Sequence, residues 1–328
     1  MKHKILMEAP PIIRDFLTYN ETIKGKSSLT VDEYYLDLQT FFRYLLKIRG
    51  KTEETEFEKI DIMAVDIDLL KTVTVSDLYS FIVFCKNERD NSPATRARKT
   101  STLRIFFKYL SVQTKLLDSN PAEMLEAPKI KQSLPKHLTL EDSLELLSVV
   151  DGPNKQRDYC ILTLFLNCGL RLSELCGLNL GDIRSDGTMR ILGKGNKERI
   201  VYLNDACKTA LEDYIRVRPK DNIVATDRNA LFISRNHRRI SNKTVQATVQ
   251  KYLSLAGLSG QGLSTHKLRH TAATLMYQHG NVDIRVLKDI LGHSNLGTTQ
   301  IYTHISDNQI KNAIDSNPLS NAKIKKEQ

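Results

Sequence analysis

The chain has 328 residues, 48 Lys and Arg against 38 Asp and Glu, and a formal net charge of +10. That length allows about two domains, and 41% apolar residues with a mean hydropathy of −0.33 argue against a disordered or collagen-like chain. No apolar run approaches the roughly 18 residues that span a bilayer, the start Met1–Glu8 lacks the apolar stretch of a secretory signal, and Cys85, Cys160, Cys168, Cys176 and Cys207 lack the spacing of a disulfide framework or zinc knuckle.

The expectation is a soluble protein of the reducing cytoplasm with no membrane partner. The charge is uneven: residues 1–130 hold 20 basic and 19 acidic residues, and residues 131–328 hold 28 and 19. An excess confined to one half suggests a surface for a polyanion there.

The first 120 residues read as helical. Thr30-Val31-Asp32-Glu33 has the form of a capping box, and behind it Tyr34, Leu38, Phe41, Phe42 and Leu45 recur at helical spacing as far as Gly50. A second helix is predicted over about 75–86, with Leu78, Phe81, Ile82 and Cys85 inward. A third opens on Ser92-Pro93, a cap followed by proline at the first helical position. It carries Leu103, Phe106, Phe107 and Leu110, and also Arg96, Arg98, Lys99, Arg104 and Lys108, a crowd of cations suited to phosphate. Residues 121–137, with three prolines from Pro121 to Pro135, read as a linker.

Helix restarts at Thr139-Leu140-Glu141-Asp142, continues over about 157–167, breaks near Gly169 and resumes at Arg171. Thr188–Leu192 and Arg199–Leu203 are β-rich and flank the turn Gly193-Lys194-Gly195-Asn196-Lys197, which predicts a hairpin. Further helices are expected over about 205–218, 242–256, 265–279 and 283–291. Ahead of the second of these lie Arg235, Arg238 and Arg239. Its start carries Lys243, with Thr244 and Gln246 off the apolar stripe Val245, Val249, Leu253 and Ala256, the look of a groove-reading helix. Ser306–Gln309 can cap a short tail helix with a narrow apolar edge, which needs something to dock against.

Five short segments carry the chemistry: Gly169-Leu170-Arg171-Leu172-Ser173-Glu174, the Lys194 turn, His266-Lys267-Leu268-Arg269-His270, Leu291-Gly292-His293, and Tyr302 within Thr298–His304. Singly each has an ordinary structural explanation. Two Arg, two His, one Lys and one Tyr together suit attack of a phenol on a phosphodiester. Forked guanidiniums match phosphoryl oxygens. A phenol with a pKa of about 10 needs a base or nearby cations, and the leaving alkoxide needs an acid. His266 and His270 stand at zincin spacing, but Lys267 occupies the place of the glutamate such a site requires.

In order and spacing these segments resemble the boxes of the tyrosine recombinases of the integrase family, most of all the bacterial Xer branch. Arg96–Leu110 is similar to that family's last core-binding helix, and Asn120-Pro121-Ala122 and Leu134-Pro135-Lys136 to its linker, so the likeness covers nearly the whole chain. The resemblance implies a mainly α fold with a small β-hairpin, arranged as a two-domain DNA clamp. A helical core-binding domain would occupy residues 1–120, a mixed α/β catalytic domain residues 138–304, and a protomer-docking tail residues 305–328. It implies Tyr302 as nucleophile, forming a 3′-phosphotyrosyl link. Arg171 and Arg269 would clamp the phosphate, His266 would serve as acid/base or donor, His293 as a donor, and Lys194 as general acid with Lys197 its rival. Glu174 would orient Arg171.

The implied DNA contacts are Arg96, Arg98, Lys99, Arg104, Lys197, Arg235, Arg238, Arg239, Lys243, Thr244 and Gln246. No cofactor, metal or ATP is implied, because the covalent link conserves the bond energy. The implied partners are a double-stranded recombination site and a homotetramer, or a heterotetramer with a paralogue, working through a Holliday junction. A DNA translocase or accessory protein is a further expected partner. The resemblance implies resolution of chromosome or plasmid dimers, with movement of a mobile element by the same chemistry as the alternative. The two-domain layout and docking tail speak against a type IB topoisomerase, and the full set of six chemical residues against a non-catalytic DNA-binding protein.

Overall fold

Aromatic side chains at helical spacing assemble the first of two units. Helices α1 (Pro11–Thr22), α2 (Ser28–Ile48), α3 (Ile67–Lys71), α4 (Val75–Asn87) and α5 (Pro93–Lys108) make up this unit, which spans Met1–Gln132. The computed structural model describes residues 9–130, 136–193, 198–279 and 282–292. Phe16, Phe41, Phe42, Phe81, Phe106 and Phe107 are fully buried. Phe16 meets Phe106 and Phe41 meets Phe81 edge to face, each with ring centroids 5.2 Å apart. Each such side chain contributes about 1.5–3 kcal/mol by burial, and the edge-on geometry adds to it.

Two local expectations are corrected. Helix α2 starts before Thr30: Ser27 is the cap, its hydroxyl accepting from the Thr30 amide at 3.3 Å. The earlier start places Val31 in the core and leaves Glu33 to pair with Arg98 at 2.7 Å. The start of the expected linker is also packed, since Ala122 and Leu125 belong to the core of the first unit. The Tyr79 hydroxyl pins this stretch, donating to the Met124 carbonyl and accepting from the Glu126 amide.

The cations of α5 divide by helix face. Lys99, Thr102 and Phe106 share the inward stripe, so Lys99 is buried rather than presented to a phosphate. Its Nζ donates to Asp37 at 3.1 Å, and Asp37 also accepts from Arg98 at 2.7 Å and from the Thr102 hydroxyl at 2.8 Å. Lys99 is therefore committed to Asp37, whereas Arg98 remains exposed and pairs through Nη1 with both Asp37 and Glu33. Arg96 is half-buried, while Arg104 is exposed. With Ser101, Lys108 and Asn120, Arg104 lines a concavity of about 900 Å³.

The second unit, Ser133–Gln328, contains among its described residues α6 (Leu140–Ser148), α7 (Lys155–Cys168), α8 (Leu172–Gly177), β1 (Thr188–Leu192), β2 (Glu198–Tyr202), α9 (Asp205–Val217), α10 (Asn242–Leu255), α11 (Thr265–His279) and α12 (Ile284–Leu291). Helix α7 is buried almost all round, as a central helix must be. Helices α9 and α11 pack on it. The hairpin is antiparallel and pairs Arg190 with Ile200 and Ile191 with Arg199. Strand parity sends Met189, Ile191 and Val201 into the core and leaves Ile200 and Tyr202 outside. Among the described residues no helix is long and apolar enough to cross a membrane.

Asp37 generates a stability prediction. Asp37→Ala strands the buried Lys99 ammonium, and chemical denaturation should report a loss of about 3–5 kcal/mol. A loss below about 1 kcal/mol would show that the carboxylate is not what holds Lys99 inside.

Candidate active site

The site is built where three elements end. Helix α7 stops at Gly169, whose left-handed φ of 58° makes the C-cap. A Cβ at Gly169 would lie 2.7 Å from Leu291 Cδ2, so glycine is needed both for the turn and for the close approach of α12. Arg171 follows two residues later as the N-cap of α8. Helix α12 ends at Gly292, also left-handed with φ 62°, and a Cβ there would press on Arg199 Cδ at 3.1 Å.

Glu174 lies at the centre, with its side chain 2% exposed. Its carboxylate accepts two bonds from Arg199, Nη1 and Nη2 both at 2.9 Å, which is the bidentate fork. It accepts from Arg171 twice, from Nη1 at 2.6 Å and from the backbone amide at 2.8 Å. Arg269 Nη1 stands 3.8 Å away. Three guanidiniums around one carboxylate leave a net charge of two positive units. Burial alone would raise the Glu174 pKa, but Arg199 and Arg171 override it and bring the pKa down to about 2.

The same arginines tie the cluster to the end of α12. Arg171 Nη2 donates to the Gly292 carbonyl at 3.0 Å, and Arg199 Nε donates to the Ile290 carbonyl at 3.0 Å. Arg269 is buried, donating to the carbonyls of Gly169 and Leu291, each at 2.6 Å. The last carbonyls of both helix ends are thereby satisfied by cations, as the helix dipole favours. Arg269 is held in place by the cluster, while Arg171 is partly exposed, its side chain 35% open.

His266 sits at the start of α11, one turn before His270. Partial burial, then the charges of Arg269, Lys267 and Arg171, lower its pKa. It is therefore a neutral imidazole near pH 7, able to accept a proton. So Arg171, His266 and Arg269 come together within one electrostatic neighbourhood, with Glu174 beneath. Lys194, Lys197, His293 and Tyr302, and the segment 305–328, lie outside the described residues.

Of the expected groove contacts, Arg235, Arg238, Lys243 and Gln246 are exposed. Thr244 is half-buried, its Oγ1 lying 2.9 Å from the capping hydroxyl of Ser241. Arg239 is corrected: it donates to the carbonyls of Cys176 and Leu178 and to Asn179 Oδ1, so its guanidinium is spent on the fold. An arginine that satisfies loop carbonyls from a bridge position has few donors left for phosphate. Among the described residues no group of three His, Cys, Asp or Glu side chains is placed to hold a metal ion.

Arg199 is the member that reading the sequence missed. A signal was present. Val201 and Leu203 face inward on the same strand parity, so Arg199 shares their face. An inward arginine demands a buried counter-charge, which is Glu174.

Two stability predictions follow from this geometry. Arg199→Ala removes the fork from a buried carboxylate and should cost about 3–5 kcal/mol in urea unfolding. Arg199→Lys should recover only part of it, since an ammonium cannot make the fork. Glu174 supplies the pH test. Its pKa falls from 4.5 to about 2 on folding, so its contribution is present above 4.5 and is lost as the pH drops toward 2. Urea midpoints of the native protein should fall across that window more steeply than those of Glu174→Gln. Parallel curves would contradict the assignment.

Comparison with known proteins agrees with the sequence pattern. Residues 136–309 match the model of the phage integrase family. The tyrosine recombinase XerC of Caldanaerobacter subterraneus subsp. tengcongensis is 52% identical over 323 residues, covering 97% of this chain and 91% of that protein. The tyrosine recombinase XerD of Proteus mirabilis is 36% identical over 304 residues, covering 92% and 90%. Two solved structures share the fold. XerH recombinase bound to palindromic difH substrate, in a post-cleavage complex, has a TM-score of 0.70 at 24% identity, covering 89% of this chain and 81% of that one. A lambda integrase dimer bound to a COC′ core site has a TM-score of 0.63 at 18% identity, covering 87% and 96%. With the family match, the full-length likeness and the arginine cluster in hand, the chain belongs to the phage integrase family as a Xer-type tyrosine recombinase, an enzyme that cleaves and rejoins DNA through a tyrosine intermediate.

Proposed function

We propose that this recombinase resolves chromosome or plasmid dimers, working as a tetramer on two copies of one DNA site. Relatives named XerC and XerD support a pairing with a paralogue, and a relative bound to its difH site supports a short duplex as substrate. In this reading Tyr302 Oη attacks the scissile phosphorus and the bond to the 5′-oxygen breaks. The phenolic proton passes to His266, and Lys194 protonates the leaving 5′-oxygen. His293 donates to the phosphate. Strand exchange through a Holliday junction then lets the freed 5′-hydroxyl of the partner duplex attack the phosphotyrosine. Arg98, Arg104, Arg235, Arg238, Lys243 and Gln246 are exposed and serve in this reading as docking contacts. A DNA translocase or accessory protein is part of the same proposal.

The observation that carries the reading is the drawing of Arg171 and Arg269 to the carbonyls of Gly292 and Leu291, next to His293 in the chain. Two cations held at one helix end suit the two non-bridging oxygens of one phosphate.

A nicked suicide duplex bearing the cognate site should trap a covalent protein–DNA adduct in EDTA. Tyr302→Phe should abolish it. An adduct that persists in Tyr302→Phe, or none from the native protein, would overturn the chemistry. Lys194→Ala should cleave an ordinary strand slowly and a 5′-thio strand at a restored rate, since a thiolate leaves with less protonation. Failure of that rescue would move the acid to Lys197. Concentration-dependent recombination between two sites is expected, and relaxation without recombination would point to a topoisomerase.

A further inference from the structure

Helix α11 carries a second histidine that the reaction scheme does not use. His270 is 7% exposed, and its Nε2 lies 3.1 Å from Nε2 of His266. The rings meet edge to face, with centroids 4.5 Å apart and planes at 80°. Positions i and i+4 share a helix face, so the contact follows directly from the spacing His266-Lys267-Leu268-Arg269-His270.

Two ring nitrogens at this distance share one proton. If both carried hydrogen the atoms would repel, and if neither did the contact would bring two lone pairs together. His270 is the more deeply buried ring of the two. His266 is exposed and is the one that can change its protonation. One arrangement serves both states of His266. Its Nε2–H donates to the Nε2 lone pair of His270, and its Nδ1 is left with a lone pair. When Nδ1 takes a proton, the Nε2–H···Nε2 bond is kept and strengthens, because a cationic donor makes the better hydrogen bond.

We propose that His270 is a positioning residue that fixes the tautomer and ring plane of His266, so that Nδ1 is the atom that receives the proton of Tyr302. The proposal rests on the reading of His266 as the proton acceptor. Atoms balance in the step: the Tyr302 Oη–H bond breaks, a Nδ1–H bond forms on His266, and the Nε2 proton stays on His266. In this scheme His270 acts through its neighbour. Among the described residues, the charged groups that act on His266 are Arg269 and Lys267 on α11 itself and Arg171 before α8. These three are cations and cannot accept from an imidazolium at His266, whereas the Nε2 lone pair of His270 can.

The test is single-turnover cleavage of a nicked suicide duplex at saturating full-length protein. His270→Phe keeps a ring of similar size and removes both nitrogens. It should slow cleavage roughly 10-fold or more, part of the 10²–10⁴ that a positioned base supplies, with the affinity for duplex unchanged. His270→Gln, which retains an acceptor, should recover much of the rate. In a His266→Ala background, His270→Phe should add no further loss, because a residue acting through another has nothing left to act on. Wild-type cleavage by His270→Phe, or an equal fold-loss in the His266→Ala background, overturns the proposal. If His266→Ala itself cleaves at the native rate, the underlying reading of His266 has failed instead, and Tyr302→Phe in the same assay shows whether the tyrosine chemistry stands. Should His270→Phe not fold, ¹⁵N-histidine NMR of the native protein decides the matter. A scalar coupling between the two Nε2 atoms with the shared proton bonded to His266 Nε2 supports the proposal, and a proton on His270 Nε2, on both Nε2 positions or on neither contradicts it.

Discussion

One buried carboxylate organises this recombinase. Glu174 alone would be a costly charge to hold beneath the surface. Arg199 compensates it with a fork and Arg171 with two further hydrogen bonds. The consequence reaches beyond stability. Because one arginine from the hairpin occupies Glu174, the cluster keeps a surplus of positive charge at the surface that a phosphate would meet. The same guanidiniums reach the last carbonyls of α12, so three separate elements are fixed to one point. Two left-handed glycines, Gly169 and Gly292, allow the approach.

The placement fits what phosphoryl transfer needs. Charge that develops on the non-bridging oxygens has to meet donors already in position, since reorganising them during reaction costs rate. Arg269 is fully preorganised, with its guanidinium held by the carbonyls of Gly169 and Leu291. Arg171 is less enclosed and is the member best able to meet a substrate. Partial burial first, and then the charges of Arg269, Lys267 and Arg171, lower the His266 pKa, so the cations proposed to hold the phosphate also favour the neutral imidazole proposed to accept the proton. His270 beneath it extends the same logic by one helical turn.

Much of this was legible in the sequence, and the exceptions share a cause. The helices from α4 onward and the hairpin follow from apolar period, caps and turn residues, because each signal is local. The pairing of Arg171 with Glu174 is also local, three residues along one helix start. What escaped depends on distant partners. Lys99 sits among cations that look solvent-facing, and only Asp37, on another helix, shows it to be buried. Arg239 reads as a groove contact until the carbonyls of Cys176 and Leu178 claim it. Arg199 reads as the first residue of a β-strand, and its inward parity gains a partner only in Glu174, on another element. Thr30 has the form of a cap, but Ser27, three residues earlier, satisfies the same amide and lengthens the helix.

The central claim is that the arginine cluster exists to neutralise the charge of one phosphodiester, and a substrate without that charge tests it directly. The measurement is single-turnover cleavage by native protein and Arg171→Ala on matched duplexes carrying a phosphodiester or a neutral methylphosphonate at the scissile position. On the phosphodiester, Arg171→Ala should lose about 10²–10³ in rate, the scale of one missing oxyanion donor. On the methylphosphonate the variant should cleave nearly as well as the native protein, because the charge that Arg171 answers is gone. An equal loss on both substrates would contradict the account and make Arg171 a structural residue.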